Sequence, residues 1–205
     1  MMYKVVVLAL AIFATCASLE SYENKFEVTE GCLQYNSKDG YYYNHPYFST
    51  AIFKNIHVGP NNVTKLRLGV AAKNDGHVRL APVKYPYDST VMNEIVLSGW
   101  RNTKSEVRRY TRTDPDKVKD QIVLKELSSL GMLSEYGPLM FTMAIHQDGL
   151  VELTKDGEVV PLLKFKDPKL SYEYISFCNW DVPAIYFFDC PLRRDKRTCE
   201  GIVFP

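Results

Sequence analysis

The 205 residues carry 25 Lys and Arg against 24 Asp and Glu, a formal net charge of +1 at pH 7. A chain this evenly balanced has no overall field to hold it on a polyanion, so nucleic acid is excluded as its partner class. It is long enough to bury one core, and its 14 Tyr and 10 Phe are flat rings that pack well on pleated strands.

Residues 1–18 have the pattern of a signal peptide. Lys4 supplies the positive start, Val5 to Phe13 is an unbroken apolar run, and Ala14, Ala17 and Ser18 are the small residues a signal peptidase needs. The run is about half the length of a permanent membrane helix, and no later segment is long and apolar enough to span a membrane. Residues 19–205 are therefore expected to form one secreted, extracellular domain with no membrane span. Cys32, Cys178, Cys190 and Cys199 remain after cleavage. An even number in an exported chain predicts two disulfides, with all three connectivities open. If 171–179 and 184–189 form a tight hairpin, the offset of Cys178 from Cys190 argues against joining those two and for clipping Cys32 to the C-terminal region.

Asp-Gly pairs at Asp39-Gly40, Asp75-Gly76, Asp148-Gly149 and Asp156-Gly157 tolerate the positive φ of two-residue hairpin turns. Strand-like alternation flanks them: Leu66, Leu68, Val70 and Ala72 before Asp75, Val78 and Leu80 after it. Phe141 to Ile145, Leu150 to Leu153 and Val159 to Phe165 predict a meander, and Tyr172 to Phe177 with Ala184 to Phe188 a final pair of strands. Between them, Asp114-Pro115 is a good helix start, with Val118, Ile122 and Leu130 near one face and Gly131 as a stop. Yet Val118, Ile122 and Leu124 share strand parity, which favours an extended connection with at most a helical turn. The expected fold is all-β, an antiparallel β-sandwich of jelly-roll type with little helix.

The most distinctive segment runs from Glu94 to Arg109, E-I-V-L-S-G-W-R-N-T-K-S-E-V-R-R. With Phe141 to Ile145, Gly149 to Val151, Gly157 to Phe165 and Tyr174 to Trp180, it resembles the farnesoic acid O-methyltransferase domain of arthropod proteins over roughly residues 45–190. Ser98 departs from that pattern where a first glycine is usual, and Thr142-Met143 where an aromatic pair is common. The name implies S-adenosylmethionine-dependent methyl transfer to farnesoic acid. However, the chain has no GxGxxG-like turn and no strand-helix alternation on which such a cofactor is usually held, and domains of this type resemble β-sandwich binding modules. No cofactor and no catalytic residue are assigned.

On strand parity after a bend at Gly99, Trp100, Asn102, Lys104, Arg108 and Tyr110 point one way. A ring beside an amide and cations is suited to a sugar or an anionic group. Trp180, between Asn179 and Asp181, is a second aromatic-polar loop, and the Tyr41 to Tyr47 cluster is either a contact surface or strand packing. These residues predict a recognition module for carbohydrate or another small polar ligand. A methyltransferase and a carrier of a hydrophobic small molecule are the alternatives. His45, His57, His77 and His146 are scattered, with no metal spacing, so no metal is assigned. Asn62-Val63-Thr64 is an acceptor for N-glycosylation. Arg194 to Arg197 fits a convertase site, although such basic runs are more often solvated loops.

Overall fold

A computed structural model describes residues 24–193. The expected signal peptide, the Arg194 to Arg197 run and Cys199 lie outside the described residues. Thirteen strands follow one another: β1 (Leu33–Ser37), β2 (Tyr47–Ser49), β3 (His57–Val58), β4 (Thr64–Ala72), β5 (Gly76–Ala81), β6 (Val91–Ser98), β7 (Lys104–Asp114), β8 (Lys117–Ser128), β9 (Leu139–Ile145), β10 (Leu150–Lys155), β11 (Leu163–Lys166), β12 (Tyr174–Cys178) and β13 (Ala184–Cys190). One sheet has the order β1-β13-β4-β9-β10-β11, with β3 also on β4, and the other has the order β2-β12-β5-β6-β7-β8. Every pairing among the described residues is antiparallel. The chain passes repeatedly from one sheet to the other, so the fold is an all-β antiparallel sandwich, jelly-roll-like, with helix limited to single turns. No described helix is long and apolar enough to cross a membrane.

Alternation along the strands builds the core. Leu66, Leu68 and Val70 on β4 and Phe141, Met143 and Ile145 on β9 face Val78, Leu80, Ile95 and Val107 of the other sheet, all of them buried. Each such side chain contributes roughly 1.5–3 kcal/mol by leaving water. Phe177 and Tyr186 stack within the same core at 4.8 Å and 21°. Side chains from both sheets pack together between them as one core.

Several expected hairpins are corrected. Asp148-Gly149 does close one, between β9 and β10. Asp75-Gly76 instead carries the chain across from β4 in one sheet to β5 in the other, because Val70 and Val78 must both face the core. Gly76 is tightly placed there, since a Cβ would lie 3.2 Å from Val70 Cγ2 and 3.3 Å from Leu133 Cδ1. Asp39-Gly40 likewise lies on a crossing, from β1 to β2. The last two strands are in different sheets and do not pair. β11 begins only at Leu163, because Pro161 has no N–H for a ladder, and Val159 and Val160 are left exposed. The ambiguous stretch after Asp114 is a 12-residue strand, exposed along most of its length.

The separation of β12 from β13 also settles two of the sulfurs. Cys32 and Cys190 form a disulfide spanning 158 positions, whereas Cys178 is a buried free thiol on the other sheet. Among the described residues Cys178 has no disulfide partner, and the link from Cys32 to the C-terminal region arises without the hairpin assumed for it. Substituting Cys32 and Cys190 by Ala should lower the free energy of unfolding by roughly 2–5 kcal/mol in denaturant titrations. A change below measurement error would show that the bond is mechanically idle.

Candidate functional site

The outer face of the six-stranded sheet is covered where a sandwich usually meets water. β5, β6, β7 and β12 present His77, Arg79, Glu94, Tyr110, Arg112, Ser176 and Cys178 on it, all buried. The loop after β1 roofs this polar layer with Tyr41, whose ring lies 4.6 Å from the guanidinium carbons of both Arg79 and Arg112. Buried Asn179 pins the loop, its Oδ1 accepting the Ser37 hydroxyl at 2.7 Å and the Gly40 N–H at 3.1 Å. Glu94 is the anchor of the layer. Its Oε1 accepts from Arg79 Nε at 2.9 Å and from the Tyr110 hydroxyl at 3.3 Å, and its Oε2 accepts from the Tyr41 hydroxyl at 3.0 Å and Arg108 Nη1 at 3.5 Å. Burial by itself would raise this carboxyl, but Arg79, His77 and Arg112 hold it well below the usual range.

Beside this layer the chain bends sharply between β6 and β7. Ser98, Trp100, Arg101 and Asn102 all have left-handed φ, from 50° to 64°. Such residues cost on the order of 1 kcal/mol or more each. Gly99 is required at the tightest point, since a Cβ there would sit 2.9 Å from both Asp75 Oδ1 and Val96 Cγ1. Strand parity therefore fails for residues 100–102 and resumes at Lys104.

The consequences differ for each predicted site residue. Asn102 turns away and acts as a peg, with Nδ2 donating to Leu133 O at 2.8 Å and Oδ1 accepting from Leu133 N at 3.1 Å. Lys104 lies against one face of Trp100, its Nζ 3.8 Å from the ring centroid, and is paired with Glu126 at 2.7 Å and Glu106 at 3.1 Å. Arg108 stands 5.4 Å from the same ring and binds Glu106 and Glu94. Trp180 leans on Tyr41 at 4.8 Å and Tyr42 at 5.8 Å. Trp100, Arg108 and Trp180 come together around a cleft of about 360 Å³, whereas Asn102 and Lys104 do not line it. Both tryptophans remain nearly half exposed, at 44% and 47%.

The floor of the cleft was not legible in the sequence. Asn74, Asp75 and His77 line it, with Asp181 at the rim. Asn74 Oδ1 and both ring nitrogens of His77 are buried without a hydrogen-bond partner. Asp75 is pushed above its ordinary value by burial, with Asp181 adding to the shift and His77 opposing it. Asn74, Asp75 and His77 come from the crossing into β5 and its first residues, Asp181 from the loop after β12 about a hundred positions on, and no local motif marks them as a site. His77, Glu94 and Cys178 are also brought together, the one group of three metal-ligating side chains found among the described residues.

A family model described as farnesoic acid O-methyl transferase matches residues 41–192. No curated protein matches the chain. Among solved structures, a native glycosidic hydrolase is similar at 10% identity and a TM-score of 0.36, covering 78% of this chain and 91% of that one. A Bacillus licheniformis β-glucanase is similar at 11% identity and 0.35, covering 78% and 98%. The binding domain of botulinum neurotoxin DC, in complex with rat synaptotagmin II, is similar at 10% identity and 0.30, covering 79% and 44%. These are distant likenesses of strand arrangement and nothing more.

Glu94→Gln should destabilise the fold by roughly 3–5 kcal/mol, because it leaves Arg79 buried and uncompensated. A carboxyl held below its ordinary value of 4.5 gives stability that is present above that pH and lost as pH falls through the folded value. Acid unfolding of the variant should therefore begin from a lower plateau with a shallower pH dependence below about 4.5, measured by circular dichroism. Asn102→Ala should cost roughly 1–3 kcal/mol through the two unpaired Leu133 groups, and thermal denaturation checks it.

Proposed function

We propose that this chain, which belongs to the farnesoic acid O-methyl transferase family, is a secreted recognition module whose cleft binds carbohydrate or a comparable small polar ligand. The observation that carries the proposal is the pair of braced tryptophans across a floor of unpartnered polar atoms. Lys104 backs Trp100, and Tyr41 with Tyr42 supports Trp180, so each ring is held in place beside the cleft. A sugar offers an apolar ring face to such aromatics and hydroxyls to acceptors such as Asn74 Oδ1, Asp75 and Asp181. A purely anionic ligand is less favoured, because Lys104 and Arg108 are already matched by Glu106, Glu126 and Glu94. The Cys32–Cys190 bond suits an oxidising compartment. Asn62, exposed in a turn with φ 55°, is accessible for glycosylation.

The family name calls for a test against S-adenosylmethionine. In a doubly wound sheet that kind of ligand is held at the carboxyl ends of parallel strands, beside a helix N-terminus. The described sheets are wholly antiparallel, and the four-residue turn Gly99–Asn102 contains left-handed residues. The described residues do not fit the cofactor in that manner, and no step is routed through it.

A glycan array probed with the wild type, Trp100→Ala and Trp180→Ala tests the proposal. Binding to at least one glycan is expected, weakened roughly tenfold by either substitution. Blank arrays for all three proteins, or equal signals, would remove the carbohydrate reading. Saturable heat on titrating S-adenosylmethionine would put methyl transfer in its place.

A further inference from the structure

We propose that His77, Glu94 and Cys178 form a binding site for a divalent transition ion of borderline softness, with Zn²⁺ the natural occupant. The three side chains project from the same face of adjacent strands β12, β5 and β6. Cys178 is the direct cross-strand partner of His77, and Glu94 lies diagonally across, opposite Arg79. The ligand atoms lie within 4.8 Å of one another, and His77 Nδ1 is 3.5 Å from Glu94 Oε1. Tetrahedral Zn²⁺ with bonds of about 2.0–2.3 Å separates its ligands by about 3.3–3.8 Å. The imidazole and the carboxylate already meet that spacing, and from the 4.8 Å limit the sulfur needs an inward shift of at most about 1–1.5 Å.

The second observation is the imidazole itself. His77 is 2% exposed, Nε2 has no hydrogen-bond partner, and Nδ1 has only the long 3.5 Å approach to Glu94 Oε1, an arrangement that leaves most of its desolvation uncompensated. An ion at Nδ1 supplies the first missing partner. The other nitrogen, Nε2, stands 4.0 Å from Asp75 Oδ1, in the place of the carboxylate that commonly orients a metal-bound histidine. Cys178 completes a set of nitrogen, oxygen and sulfur donors appropriate to zinc. Burial pushes its thiol up to about 12, so without an ion it is inert, and ligation would release its proton.

Arg79, whose Nε is 2.9 Å from Glu94 Oε1, competes with the ion for the carboxylate, and the thiolate formed on ligation offsets part of that repulsion. Three protein ligands leave one coordination position open. His77 also lines the tryptophan cleft, which provides an entry path. The proposal shares His77 with the cleft floor, but its readout, ion binding through Cys178, does not depend on what the cleft binds.

The test uses the chain with its Cys32–Cys190 bond intact, stripped by chelator and titrated with Zn²⁺ by calorimetry and with Co²⁺ by absorption spectroscopy. The expected result is one equivalent of Zn²⁺ and a thiolate-to-cobalt charge-transfer band. Cys178→Ser should abolish the band and weaken Zn²⁺ binding by more than about tenfold, His77→Ala should do the same to the affinity, and Asp75→Asn should weaken it about tenfold. Cys178→Ser is close in size, and its unfolding curve in chelator reports whether the fold is kept. Absence of stoichiometric Zn²⁺ binding, a cobalt complex without the thiolate band, or undiminished affinity in a folded Cys178→Ser protein would each overturn the proposal.

Discussion

The carboxylate of Glu94 organises everything on the outer face of the six-stranded sheet. It is fully buried, and it accepts from Arg79 on β5, from Arg108 and Tyr110 on β7, and from Tyr41 in the covering loop. An unpaired carboxylate at that depth would cost many kcal/mol, so its partners are obligatory rather than decorative. Because one of them belongs to the loop, satisfying the charge also fixes the roof. The roof in turn carries the Tyr41 ring against Trp180, so the cleft wall is placed by the same interaction that neutralises the sheet.

The other wall has a different origin. The left-handed residues Ser98 and Trp100 to Asn102 are strained, and they are held by their surroundings: Asn102 bonds to Leu133, and Ser98 Oγ donates to Ser129 O. The strain swings Trp100 out of the ladder and over Lys104. The Glu94 to Arg109 segment thus combines three physical tasks in one hairpin, namely a buried charge, a locked bend and a projecting ring.

The fold class was legible because its signal is local. Two-residue alternation at Leu66 to Ala72 and Phe141 to Ile145, with Asp-Gly corners, specifies strands, whatever they pair with. Pairing was not legible, since Asp75-Gly76 turns a chain between sheets as readily as between neighbours. The β8 strand had no clear period because Val118, Ile122 and Val123 are all exposed, and register shifts on β7–β8 break what alternation there is. Of the site, the aromatic and basic residues stood out by type, Trp100, Arg108 and Trp180 among them. Asn102 misled because extended geometry was assumed across residues that are left-handed. Glu94 and Asp181 join Asn74, Asp75 and His77 only through tertiary structure, and nothing in their spacing announces it.

The disulfide between Cys32 and Cys190 encloses nearly the whole sandwich within one covalent ring. Tension applied through the segments flanking these two cysteines runs from sulfur to sulfur and bypasses every ladder between them. A single peptide cut inside the ring leaves both pieces tethered. The domain is therefore shielded against mechanical stretching and against the loss of fragments after nicking, whatever the net stability of its core.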